Sequence, residues 1–220
     1  MKKFILFILV FVTIQSFLTT NSYAFSGLGS GTSGDPYQIT NVNQLQEMKD
    51  DLDAYYVLMN DIDASVTSTW NNGQGFVPIG YPFDGTFDGQ GHKITGLFIY
   101  RPFNFGLFSG TGSGAIVKNV GVVDVKISGS GYPGGSNFIG GLVGGNNGTI
   151  TNCYVTGNVK GDLRIGGLVG WNAGNGNISN SYSTASVTGI YHIGGLVGCN
   201  ANGGTISNSY STGRVSGSLI

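Results

Sequence analysis

One short glycine-rich stretch of this sequence holds the residues that could do chemistry. Asp84, Asp88 and His92 follow one another at four-residue intervals. Enzymes that cleave polysaccharides use paired carboxyl groups, one to protonate the leaving oxygen and one to attack the sugar or activate water. These three residues are therefore the candidates, though weak ones, for a catalytic site.

A structural role competes with this chemistry. Aspartate side chains accept hydrogen bonds from the backbone of their own turns, and glycine permits the sharp corners between them. Asp61, Asp63 and Asp124 could join a carboxylate group or bind Ca²⁺ through oxygen. We favour the structural interpretation, so the sequence predicts no catalytic residue, no metal site and no cofactor.

Other catalytic motifs lack the residues that they need. The chain has two histidines, His92 and His192, and one glutamate, Glu47. A metallopeptidase helix of the His-Glu-x-x-His form cannot be written with them, and neither can a zinc cluster. The Gly-Ser-Gly runs lack the strand-and-helix context of a serine nucleophile.

A repeated phrase organises the second half of the chain. Gly-Gly-Leu-Val-Gly occurs three times, each time after an isoleucine and before an Ile-x-Asn-x-Tyr phrase. The residues of the three copies are Gly140, Gly141, Leu142, Gly144, Asn152 and Tyr154; Gly166, Gly167, Leu168, Gly170, Asn180 and Tyr182; and Gly194, Gly195, Leu196, Gly198, Asn208 and Tyr210. Three copies at a near-constant period predict a repeat architecture.

The spacing within a copy predicts strands. Ile150, Asn152 and Tyr154 lie two residues apart and would share one face, whereas the intervening Thr151 and Cys153 would lie on an outer, wetted face. Equivalent residues would stack on the next turn, and the asparagines would form an amide ladder at a bend. The fold class is therefore all-β, a parallel β-helix or solenoid.

The N-terminal part predicts a cap. Residues 41–52 form the one convincing helix, with Asn41 at its N-terminus and Val42, Leu45, Met48 and Leu52 on one face. A solenoid needs its end covered. We predict a signal peptide at 1–24, a cap region at 25–82 and β-helix rungs at 83–220, with the clean repeats at 139–220. Because Ile220 ends the sequence where another copy should begin, continuation into further repeats is expected.

The first residues predict export. Two lysines precede an apolar run, and small residues at Ser22 and Ala24 predict cleavage after Ala24. The rival interpretation is a membrane anchor, but the run is shorter than the ~20 residues of a spanning helix. The protein is expected to be secreted or at the cell surface, without a membrane span after cleavage. With a net charge of −1 and only 10% charged residues, it offers nucleic acid no basic surface.

The two cysteines are not expected to pair. Cys153 takes the place of Ser181 and Ser209 in the repeat, whereas Cys199 takes that of Gly145 and Trp171. These positions belong to different parts of different turns, and a disulfide needs Cα atoms within about 7 Å.

The repeat unit resembles the GLUG motif of secreted bacterial proteins. The run from Gly31 through Asp35–Ile39 to Gly85–His92 resembles the leader that often precedes such repeats. The resemblance implies export and a stalk-like β-helix, and it carries no catalytic residue. Similar repeats occur in IgA-specific metallopeptidases and in large surface proteins.

Function follows from these expectations only in outline. The sequence favours a structural or adhesin-like module without catalysis of its own. A β-helical carbohydrate-active enzyme and the non-catalytic segment of a larger exported peptidase remain as alternatives. Trp171, Tyr132 and Tyr191 near corners could bind a glycan or a host surface protein.

Overall fold

The computed structural model describes residues 25–103, 105–129 and 138–217. The predicted signal peptide, Tyr132 and Ile220 lie outside them and stay predictions. Within the described residues, every pairing between strands is parallel, and the strands form four sheets. The predicted parallel β-helix is confirmed.

Each sheet takes one strand, or two short ones, from each turn. The seven-stranded sheet 1 comprises Tyr37–Ile39, Tyr55–Leu58, Thr86–Asp88, Ile116–Lys118, Thr149–Thr151, Asn177–Ser179 and Thr205–Ser207. The nine-stranded sheet 2 comprises Ile62–Asp63, Lys93–Thr95, Phe98–Tyr100, Gly121–Ser128, Tyr154–Lys160, Tyr182–Ser183, Ser186–Gly189, Tyr210–Ser211 and Val215–Gly217. The three-stranded sheet 3 comprises Ile139–Gly140, Leu163–Gly166 and Tyr191–Gly194. The four-stranded sheet 4 comprises Phe108–Gly110, Val143–Asn146, Val169–Asn172 and Val197–Asn200.

The parallel ladder begins before the predicted start of the rungs near Phe83. Tyr37–Ile39 pairs with Tyr55–Leu58, which pairs with Thr86–Asp88. The leader thus contributes the first turns of the solenoid itself. Its strands lack the repeated phrase because aromatic side chains, such as Tyr56 and Phe87, fill this end of the core.

The N-terminal helix is shorter than predicted. An α-helix spans Val42–Glu47, and a 3-10 helix continues it over Met48–Asp50. Asn41 caps it, its side chain accepting hydrogen bonds from the backbone N–H groups of Asn43 and Gln44 at 3.0 Å. Further 3-10 helices span Ser65–Thr69 and Asn71–Gly73. The buried side chains Leu45 and Met48 join the core cluster, together with Ile39 of the first strand, so the helix covers that turn.

The asparagine of the Ile-x-Asn-x-Tyr phrase turns a corner, which corrects the predicted faces. Asn152, Asn180 and Asn208 adopt left-handed backbone conformations, with φ of 54°, 48° and 47°. Alternation holds up to the corner and reverses after it, because a left-handed residue breaks the two-residue period of a strand. Cys153 is therefore buried, whereas the tyrosine that follows it lies on the outside.

The outer tyrosines form one column. The rings of Tyr154 and Tyr182 lie 5.0 Å apart and those of Tyr182 and Tyr210 lie 5.3 Å apart, with planes tilted by 4° and 6°. Tyr182 therefore adds less buried apolar area than a core position would, contrary to the expectation that it is buried like Leu168. Parallel stacking in register places identical rings directly above one another.

The main amide ladder lies at a position that the repeat phrase did not mark. Asn146 donates its side-chain amide to Asn172 Oδ1 at 2.7 Å, and Asn172 donates to Asn200 Oδ1 at 2.7 Å. Asn146 and Asn172 are buried. At the predicted position, the described contacts include one such bond, from Asn152 to Asn119 at 3.0 Å. The buried ladder forms at the other corner because there the amides face inward.

The glycines of the repeated phrase allow two turns to approach closely. A Cβ at Gly166 would overlap the carbonyl oxygen of Val169, and it would lie 2.8 Å from the backbone nitrogen of Gly198 on the next turn. Both are backbone atoms, which cannot rotate away. The phrase is therefore a steric requirement of the stack.

Both cysteines are free, in agreement with the register. Cys153 accepts no disulfide partner because its column holds Ser181, whose hydroxyl accepts the Cys153 N–H at 3.1 Å. Cys199 pairs in register with Trp171. Burial raises the pKa of the Cys153 thiol to about 12, so its reactive thiolate form is scarce at neutral pH.

We expect Gly166→Ala to destabilise the fold by about 1–3 kcal/mol or more, because the added methyl group meets backbone. Gly34→Ala is the matched control, since a Cβ there has no neighbour within 4 Å. Urea unfolding of both variants measures the difference. Equal midpoints for the two variants would contradict the steric explanation.

We expect Asn172→Ala to cost about 1–3 kcal/mol, because it leaves buried groups of Asn146 and Asn200 without a partner. The exposed Asn175→Ala is the control and should change stability little. Thermal unfolding followed by circular dichroism compares them. A ladder that matters little would show as a similar transition temperature in both variants.

We expect a thiol reagent to label the native protein at Cys199 and to reach Cys153 only after unfolding. Cys199→Ser should therefore abolish native labelling, whereas Cys153→Ser should leave it unchanged. Mass spectrometry of the labelled chains distinguishes the two sites. Rapid labelling of native Cys199→Ser would show that Cys153 is not enclosed as described.

Candidate functional site

The three catalytic candidates have separate structural partners. Asp84 Oδ1 accepts a hydrogen bond from the backbone N–H of Gly114 at 2.9 Å. Its carboxylate also lies against Gly112, where a Cβ would overlap it. Asp84 therefore fastens the corner of the next turn.

Asp88 is held as a carboxylate. Its Oδ1 accepts hydrogen bonds from the backbone N–H of Gln90 at 2.9 Å and from the amide of Asn119 at 3.0 Å, and Lys118 Nζ lies 3.2 Å from its Oδ2. Partial burial opposes ionisation, but these three donors outweigh it and lower the pKa of Asp88. A general acid needs the opposite shift.

His92 belongs to an exposed contact with Asp61. Its Nδ1 lies 3.3 Å from Asp61 Oδ1, which also accepts the backbone N–H of Lys93 at 3.1 Å. This backbone hydrogen bond is the main cause of the lowered pKa of Asp61, and the bond with His92 adds to it. Asp63 similarly accepts the N–H of Ser65 at 2.9 Å. These carboxylates hold turns.

The acidic residues do not converge on a metal. Among residues 25–103, 105–129 and 138–217, no group of three or more His, Cys, Asp or Glu side chains could hold an ion. Asp124 adopts a left-handed conformation, with φ of 53°, and its backbone N–H donates to Thr156 at 2.9 Å. The described carboxylates therefore act at individual corners and do not form a joint site.

A cleft on the side of the solenoid is the better candidate. It has a volume of about 700 Å³ and is lined by four aromatic residues, Tyr81, Phe103, Phe138 and Trp171. We call it the aromatic cleft. This volume lies within the range of ligand-binding pockets. Tyr81 and Phe103 are exposed, with 71% and 55% of their surface accessible, so the aromatic surface is available to a ligand.

The register explains why the cleft is open in the middle. Sheet 4 places Gly110 beside Gly145 and Gly145 beside Trp171 on successive turns. Two glycines leave the backbone bare, and the large indole of the third turn then forms a wall. The ring of Tyr81 lies over Gly110, where a Cβ would overlap it.

The inner aromatic pair is held in place. Phe138 and Trp171 stack with ring centroids 4.8 Å apart and planes tilted by 23°. The guanidinium carbon of Arg164 lies 5.3 Å from the centroid of Phe138, at cation–π distance. These contacts order the two rings before any ligand binds.

Amides and hydroxyls complete the lining. Thr111 donates its hydroxyl to Asn146 Oδ1 at 2.7 Å and accepts the backbone N–H of Asn147 at 3.1 Å. Asn147 Oδ1 accepts the N–H of Asn175 at 3.0 Å. None of the described residues that line the cleft is acidic or basic. The cleft thus combines aromatic surface with uncharged hydrogen-bonding groups.

Sequence reasoning found one wall of this cleft. It singled out Trp171, which lies there, and Tyr191, which is not among the described lining residues. It missed Tyr81, Phe103 and Phe138, because each comes from a different turn outside the repeated phrase. The signal that could have found them is the column of Gly145, Trp171 and Cys199, in which one turn replaces a small residue by the largest.

Comparison with known proteins gives one family match and two relatives. Residues 135–160, 161–188 and 189–216 match the family described as the GLUG motif. The chain is 39% identical over 153 residues to a halomucin of Haloquadratum walsbyi, which covers 65% of this chain and 2% of that protein. It is 35% identical over 204 residues to a candidate Gly-rich membrane protein of Evansella cellulosilytica, covering 76% of this chain and 23% of that protein. The chain thus spans a small part of both relatives.

A solved structure shares the fold. A crystal structure of a candidate immunoglobulin A1 protease from Bacteroides ovatus superposes with a TM-score of 0.63 over 84% of this chain and 69% of the other, at 23% identity. This likeness concerns the fold alone. Together, the repeated phrase, the register of its copies and the family match show that the chain is a GLUG-motif repeat protein with three consecutive motifs.

Proposed function

We propose that this chain is an exported structural and interaction module, a β-solenoid that presents its lateral faces outside the cell. One observation carries the proposal: a single parallel sheet runs in register from Tyr37–Ile39 to Thr205–Ser207 through seven strands. Such a stack is a rigid support, because each turn is hydrogen-bonded to the turns beside it.

The placement of the acidic residues supports a role without catalysis. Asp84, Asp88 and His92 each have a structural partner, and the lowered pKa of Asp88 keeps it ionised. The low content of charged residues, 10%, suits a surface whose stability rests on stacked neutral side chains.

The relatives support the exported location. Their names, halomucin and Gly-rich membrane protein, are those of surface components. Among the described residues, no helix is both long and apolar enough to cross a membrane. The N-terminal residues 1–24 carry the pattern of a secretory signal.

We expect a bacterial host to export the full-length chain and to cleave it after Ala24. A matched version that begins at Phe25 should stay in the cytoplasm. Fractionation with mass spectrometry of the mature N-terminus measures both. Retention of the uncleaved full-length chain in the cytoplasm would contradict export.

The exported protein should also leave a panel of soluble polysaccharides uncleaved. Turnover of any of them that is lost in Asp84→Asn or Asp88→Asn would overturn the proposal in favour of an enzyme. These substitutions nearly preserve side-chain size, so circular dichroism can verify that each variant is folded.

A further inference from the structure

We propose that the aromatic cleft binds a neutral oligosaccharide. This inference rests on the interaction part of the proposed function and specifies its ligand. It is argued from the four aromatic rings, the amides and the missing charge of the lining.

The aromatic rings suit the apolar faces of sugar rings. A pyranose presents C–H groups on its faces and hydroxyl groups around its rim. Phe138 and Trp171 offer a stacked pair that contacts with Arg164 hold in place. Tyr81 and Phe103 add exposed rings from another turn. Planar rings lose little conformational entropy on binding, which makes them effective anchors.

The polar groups suit the hydroxyl rim. Amides supply both donors and acceptors, and so do sugar hydroxyls. Within the described part of the chain, no protein group takes the side-chain hydrogen bonds of Trp171, Asn202 or the Tyr81 hydroxyl. These groups are therefore available to a ligand, beside amides such as Asn147 whose orientation is already fixed.

The charge and length of the cleft narrow the ligand class. An uncharged lining gives a uronic-acid or sulfated chain no cation to pair with, so a neutral sugar is favoured over an acidic one. The lining residues come from four successive turns, which at a strand spacing of about 4.8 Å span roughly 14 Å. That length accommodates a short oligosaccharide better than a single ring.

The test uses the mature chain in Trp70→Phe form, which leaves Trp171 as the one tryptophan. Malto-, cello-, manno- and galacto-oligosaccharides are titrated against it, with oligogalacturonate as the charged comparison. We expect at least one neutral series to change Trp171 fluorescence saturably and to show binding heat by calorimetry. We expect oligogalacturonate to bind more weakly.

Variants then locate the site. Trp171→Ala should weaken binding by about tenfold or more, the loss expected on truncating an aromatic anchor. Asn202→Gly should weaken it as well; it removes an amide but tolerates the left-handed backbone there, with φ of 51°. Tyr191→Ala is the control, since it removes another aromatic residue that is 55% exposed, and it should bind as the parent does.

Three results would overturn the inference. They are the absence of binding to every neutral series by the folded parent, equal or tighter binding of oligogalacturonate, and equal losses in Tyr191→Ala and Trp171→Ala. None of them affects export or the absence of polysaccharide cleavage, so the proposed structural role can fail or stand independently. Should Trp171→Ala unfold, Asn202→Gly decides the matter by itself.

Discussion

The structure depends on parallel stacking in register, which sets each residue on its own equivalent in the next turn. Every position must therefore tolerate a copy of itself about 4.8 Å away. Isoleucines satisfy this by packing inside, as Ile150, Ile178 and Ile206 do. Asparagines satisfy it by bonding amide to amide, and tyrosines by stacking ring on ring. Charged residues satisfy it least well, which accounts for their scarcity.

The sequence predicted what this constraint makes periodic. The repeated isoleucine and tyrosine positions indicated both the parallel β-helix and its register, because a regular stack requires turns of similar length. The absence of a disulfide followed from the same register. The N-terminal cap was predicted from Asn41 and the apolar face behind it, although the helix ends at Glu47 and continues as a 3-10 turn.

What could not be predicted depends on backbone conformation at single residues or on contacts between distant turns. The left-handed corner at Asn152 reverses the alternation, so Cys153 faces inward although a regular strand would turn it outward. The start of the ladder at Tyr37 was hidden because the first strands share no phrase with the later ones. The aromatic cleft arises from Tyr81 and Trp171, which lie on different turns, and no spacing in the sequence shows that they meet.

Direct evidence for the in-register stack would come from engineered cysteine pairs in a Cys153→Ser, Cys199→Ser background. Thr151 and Ser179 lie on adjacent turns, with their hydroxyl oxygens 3.0 Å apart, and paired strands hold Cα atoms at a separation that a disulfide can bridge. The account predicts that Thr151→Cys with Ser179→Cys oxidises readily, whereas Thr151→Cys with Ser207→Cys, two turns apart, stays reduced. Disulfide formation in the second pair, or its absence in the first, would contradict the stacking from which every other feature follows.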